Sequence, residues 1–179
     1  MHFPPITRWS IPLLALAAWI GVSLSATSAR QLEPARWIGQ SVREATGTLC
    51  ATSDEIGRTT DGPILQVWSR DPEGEVIDLR GYEGRVVAVT IANTIDPTEL
   101  SDWQSGHTPS ARWQLVRDLP GQRLWIDRDH RQAWSLRWTS DTRGELAATA
   151  SVFDLVRWPL AQSAANTERD QANLLPRSL

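Results

Sequence analysis

Val86-Val87-Ala88-Val89-Thr90-Ile91-Ala92 is the most apolar β-branched run of the chain beyond its N-terminal segment, and it follows Gly81 and Gly84. A run with so little polar alternation suits a strand buried on both faces, so it is expected as the central strand of the domain. Upstream, Ile64 to Trp68 and Val76 to Leu79 alternate apolar and polar residues on either side of Asp71-Pro72-Glu73-Gly74, which is turn chemistry, and a β-hairpin is predicted there. Downstream, Asp96-Pro97-Thr98-Glu99 places a carboxylate at a cap, proline at the first helical position and acid in the first turn. That order predicts a helix through Leu100 and Trp103.

Further out the signals are shorter. Pro34 to Thr46 carries Ala35, Ile38, Val42 and Ala45 at helical spacing with Gly47 just beyond, which predicts a short helix. Ser110 to Val116 reads as another helical turn before Pro120-Gly121, Arg123 to Asp127 as a strand, Gln132 to Trp138 as a short amphipathic helix and Glu145 to Phe153 as a strand. Asp154 is expected to cap a last helix holding Leu155, Val156 and Leu160. Ser163 to Leu179 has no clear periodicity and is expected as a flexible tail. The order hairpin, buried strand, helix, strand, helix, strand, helix predicts a single small α/β sandwich after an N-terminal membrane helix. The divisions are residues 1–29 as signal or anchor, 30–62 as linker with a short helix, 63–162 as the α/β domain and 163–179 as the tail.

The N-terminus has the three-part layout of a secretory signal: one fixed positive charge at Arg8, an apolar run from Trp9 to Leu24, then small residues through Ala29. The run is shorter than the roughly 20 residues that span a bilayer comfortably, and Ala26 with Ser28, or Thr27 with Ala29, offers a signal peptidase small side chains. The sequence leaves cleavage and retention both open. A retained anchor, entering the membrane through residues 9–26, would keep Arg8 inside and the body outside. The expected location is the inner membrane with the body in the periplasm or an equivalent space, or secretion if the signal is cleaved.

A formal charge of -3 gives no general attraction to nucleic acid. All 18 basic residues are arginines, which removes Schiff-base and phosphate-loop lysines from the possible mechanisms. Cys50 is the single cysteine, so neither an intramolecular disulfide nor a CxxC pair can form, and its apolar neighbours Leu49 and Ala51 suggest a buried, inert thiol.

The stretch Asp71 to Glu99 resembles the first half of the thioredoxin-like redoxins, the group that includes membrane-tethered thiol-disulfide reductases and peroxiredoxins. Asp71, Gly74, Val76, Leu79, Gly84-Arg85, Val86 to Ala92 and Thr94-Ile95-Asp96-Pro97-Thr98-Glu99 stand where that group has a turn, an apolar hairpin strand, a leucine, a Gly-Lys pair, a buried strand and Thr-Trp-Cys-Pro-x-Cys. The resemblance implies a degenerate thioredoxin-like domain. The two cysteine positions hold Asp96 and Glu99, flanking Pro97 and Thr98, and carboxylates can neither form a disulfide nor serve as a thiolate nucleophile. Redox catalysis at this site is excluded.

Gly106-His107-Thr108-Pro109 resembles, more faintly, the His-x-Pro segment of exosortase-associated periplasmic proteins, without the cysteine expected shortly after it. His107, His130, Asp127 and Asp129 are suitable metal-ligand types but lack a ligand spacing such as HxxxH, and no metal or cofactor is expected. Of the ten tryptophans, Trp68, Trp113, Trp125 and Trp134 are the expected core fillers. The alternative for Arg112 to Arg143, with seven arginines, four aspartates and interleaved tryptophans, is a partner surface formed by Arg112, Trp113, Trp125, Arg131, Trp134 and Trp138. The leading expectation is a non-catalytic, membrane-anchored extracytoplasmic accessory or assembly factor that binds a protein partner. The alternatives are an enzyme using the lone Cys50 thiol or a His107-centred site, an exosortase-associated type of protein, and a structural subunit of an envelope complex.

Overall fold

The structure is a computed structural model that describes residues 33–174 apart from 52, 73 and 141–142, with side chains to residue 170. The predicted signal or anchor therefore lies outside the described residues; among those described, no helix is long and apolar enough to cross a membrane.

Eight strands form one sheet: β1 (Glu55–Asp61), β2 (Ile64–Arg70), β3 (Val76–Tyr82), β4 (Arg85–Ile95), β5 (Gln114–Leu119), β6 (Gln122–Asp127), β7 (Gln132–Ser140) and β8 (Leu146–Asp154). Their order is β1-β2-β3-β4-β8-β7-β6-β5, and every pairing is antiparallel. Two four-stranded meanders thus meet where β4 pairs with β8. Among the described residues three α-helices accompany the sheet: α1 (Val42–Cys50), α2 (Leu100–His107) and α3 (Arg157–Leu174).

This corrects the expected α/β sandwich, degenerate thioredoxin-like form included. β3 reaches β4 through Glu83-Gly84, both at positive φ (50° and 73°), a two-residue reversal that lays the next strand antiparallel beside the first. The apolar run is central and buried on both faces, as expected, with Val86, Val87 and Val89 fully buried. Its double burial comes from helices lying on both faces of an antiparallel sheet, not from parallel crossovers. Other elements also depart from expectation: Gln132–Ser140 and Gln114–Leu119 are strands where helical turns were predicted, and α3 runs through Leu174 where a flexible tail was expected.

Cross-strand register explains the core. Val67, Leu79, Val89, Val152, Trp134 and Trp125 are successive partners across β2, β3, β4, β8, β7 and β6, and all six are buried. Around this apolar row Trp103 of α2, Trp113 and Ala35 complete a cluster with Ile91, Ile95, Leu136 and Leu146. On the opposite face the matching row is Asp78, Thr90, Ser151 and Ser135, with Thr90 and Ser151 hydroxyls 3.1 Å apart. α3 covers one end of that face through Ala161 and Ala165 against Ile64 and Val87. α1 buries Val42, Ala45 and Leu49, and Val42 occupies the space that a Cβ on Gly81 would need.

Candidate functional site

The β6–β7 connection is a tight turn in which Asp127 acts as its own cap. Its Oδ1 accepts the backbone N–H of His130 at 3.1 Å, and its Oδ2 lies 2.8 Å from His130 Nδ1. Arg112 adds its Nε at 3.2 Å and reaches Glu33 at 3.5 Å, making a chain Glu33, Arg112, Asp127, His130. The Asp127 side chain is 4% exposed and that of His130 57%. Burial pushes the Asp127 carboxyl upward, but the two bonds from His130 and the positive charges of His130 and Arg112 outweigh it and hold the group below its ordinary value. A carboxylate gripped in this way fixes the imidazole ring beside it.

His130 stands at a cleft of about 460 Å³ lined by Ile38, Gly39, Arg131, Gln132, Asp154, Val156 and Arg157. Asp154 Oδ1 is occupied by the N–H groups of Val156 and Arg157, both at 2.8 Å, so it caps the start of α3 as the sequence predicted. Gln132 is 8% exposed and its Oε1 has no hydrogen-bond partner, while its Nε2 donates to the Ala35 carbonyl at 3.4 Å. The cleft thus combines two apolar walls, two arginines and a positioned imidazole, while Gln132 Oε1 is buried out of reach of solvent. Its two arginines suit an anionic group.

The residues singled out from sequence fall in several places. Trp113, Trp125 and Trp134 are buried, with Trp113 set edge-on to Trp134, so they serve as core. Trp138 is half-buried beneath Arg123, whereas Arg112 and Arg131 are exposed beside the cleft. Asp96 and Glu99 form a capping box: Asp96 Oδ1 accepts Thr98 N–H at 2.8 Å, and Glu99 Oε2 accepts Asp96 N–H at 3.4 Å. Bonds from the Thr98 hydroxyl and N–H lower the Asp96 carboxyl. Pro97 opens the 3₁₀ turn that leads into α2.

His107 stacks on Trp103 with ring centroids 4.4 Å apart, and its Nε2 lies 3.8 Å from Glu75. It ties the end of α2 to the β2–β3 connection. His107 and His130 therefore belong to separate clusters, and among the described residues no group of three metal-ligating side chains comes together. Cys50 is exposed, not buried, because α1 turns Leu49 inward and the next residue outward. Ile38, Gln132, Val156 and Arg157 were not anticipated at a site. The readable signal was Asp127-Arg128-Asp129-His130 between two strands, a turn with a side-chain cap.

The β5 edge is the other exposed feature. Its outer backbone edge has no strand partner in the described sheet, and it carries Leu115, Val116 and Leu119 at 47%, 44% and 49% exposure. At the opposite edge β1 offers only Glu55, Ile56, Gly57, Arg58, Thr59, Thr60 and Asp61, with Asp61 paired to Arg169 of α3 at 2.8 Å.

No known protein family matches this chain, and no curated protein does. Among solved structures, the crystal structure of a cysteine-rich secretory protein from Staphylococcus aureus is similar at 11% identity with a TM-score of 0.33. The likeness covers 66% of this chain and 44% of that one and carries no argument about function.

Proposed function

We propose that this chain is a non-catalytic, membrane-tethered extracytoplasmic accessory or assembly factor that binds a protein partner, and that β5 is the strand it offers. The observation carrying this reading is the contrast between the two sheet edges. Unpaired strand edges invite pairing with other chains, and proteins commonly guard them with charge or cover. β1 is polar and braced by α3, while β5 leaves three large apolar side chains exposed and, among the described residues, a backbone edge with no strand partner. An extended partner segment adding itself to β5 would find main-chain hydrogen bonds along the edge and apolar contacts at Leu115 and Leu119. The tether is the N-terminal apolar run from Trp9 to Leu24.

A photo-crosslinking residue at Leu119, in the full-length chain in its native membrane, should capture a discrete protein, and one at Thr59 on β1 should not. The double substitution Leu115→Asp with Leu119→Asp should weaken capture about tenfold or more, the scale of an interface hot spot, with the circular dichroism unchanged. Equal capture from both edges, or capture indifferent to the double substitution, would exclude β5 as the binding strand.

A further inference from the structure

Residues 33–39 lie against the β6–β7 turn: Glu33 reaches Arg112 at 3.5 Å, the Ala35 carbonyl accepts from Gln132, and Ile38 and Gly39 line the His130 cleft. The folded body thus takes up the chain at this cleft. A segment that enters a bilayer through residues 9–26 leaves residues 27–32 before Glu33. Fully extended, those residues span no more than about 25 Å, which bounds how far Glu33 of a tethered chain can stand from the lipid.

The surface there suits such a neighbour. Val156, which lines the cleft, is 47% exposed, and its neighbours in sequence Leu155 and Leu160 are 38% and 57% exposed. Val156 immediately precedes α3 and Leu160 lies in its first turn. Arg131 and Arg157, which line the cleft with Val156, are exposed, as are Arg36 and Arg128 in the adjoining segments. Of the nearby acids, Asp127 is buried under Arg112 and His130, Glu33 is held by Arg36 and Arg112, and Asp154 is turned onto backbone N–H groups, which leaves Asp129 as the exposed acid of the turn. Outward apolar side chains beside arginines are the pattern of surfaces that lie in a membrane interface.

From these observations we infer that the cleft seats the body on an anionic phospholipid surface, with a phosphatidylglycerol headgroup between Arg131 and Arg157 and Val156 and Leu160 dipping toward the acyl chains. The headgroup supplies the phosphate that the two arginines call for. The inference rests on the tethered reading and leaves β5, a separate surface, to the protein partner.

The test uses the full-length chain with Cys50→Ser and one introduced cysteine carrying an environment-sensitive fluorophore, Leu160→Cys in one sample and Thr59→Cys in another. Each is reconstituted into phosphatidylcholine vesicles with or without phosphatidylglycerol, and brominated acyl chains serve as quencher. The label at 160 should be quenched, more strongly with phosphatidylglycerol, and the label at 59 should not. Arg131→Gln with Arg157→Gln should lower the equilibrium constant for seating about 30-fold. If the chain floats with the vesicles yet the two labels behave alike, the seat is wrong and the tether stands; if quenching at 160 ignores phosphatidylglycerol, the headgroup assignment is wrong. A chain that fails to float overturns the tether and the seat together.

Discussion

At Asp127 a nearly buried carboxylate is held by donors from two directions, the turn that contains it and Arg112 just before β5. Because its folded-state value lies below the ordinary one, the ionised group contributes stability at neutral pH, and that contribution is lost as the pH falls through the lowered value. Asp127→Asn should therefore cost about 2 kcal/mol at neutral pH, the scale of charge-assisted hydrogen bonds. It should also flatten the acid limb of the stability profile below pH ~4, where the native carboxylate takes up its proton. Urea titrations of both proteins across that range check this, and parallel acid limbs would mean that Asp127 is not a principal acid-sensitive group. In the sequence Asp127 reads as the end of a strand and His130 as a metal-ligand type, and nothing pairs them, because three residues of separation fits a solvated loop as well as a capped one. Arg112, fifteen residues upstream, is brought in only by the β5–β6 hairpin.

Among the elements, local chemistry was legible wherever one residue type answers one backbone need. The Asp96 capping box, the Asp154 cap and the β2–β3 hairpin all stand where the turn and cap residues put them. Asp154→Ala should lower stability by about 1 kcal/mol and Asp154→Asn by much less, since asparagine caps nearly as well. Thermal melts would show this, and equal losses from both substitutions would point to the carboxylate charge instead of the cap. Elements were misread where burial on both faces erased the alternation. In β7, Ala133, Trp134, Ser135 and Leu136 are all buried, so its pattern has no period of two and could pass for a helix. β1 was missed for the opposite reason, its exposed polar residues leaving no apolar stripe. The likeness of Asp71–Glu99 to a redoxin half reflects the hairpin, buried strand and capped helix that this segment does contain. Strand direction across the sheet was set elsewhere, by the Glu83-Gly84 reversal and by β8 pairing with β4.

For the molecule as a whole, the seam between β4 and β8 decides whether the two meanders behave as one body. Val89 faces Val152 directly across it, both with no exposed surface, within the apolar row that runs from Val67 in β2 to Trp125 in β6. The core beneath α2 likewise draws Ile91 and Ile95 from one meander and Leu146, Ala148, Ala150 and Val152 from the other. Neither meander closes a core alone, so unfolding should be a single transition in which far-ultraviolet circular dichroism and tryptophan fluorescence coincide. Val89→Ala and Val152→Ala should each cost about 2 kcal/mol through the cavity they leave, and together less than the sum, because the second truncation enlarges a void already opened. If the meanders were independent, each substitution would move only one of two separable transitions and the pair would add. The unbroken row of buried partners across the seam argues for one transition and for coupling between the two valines.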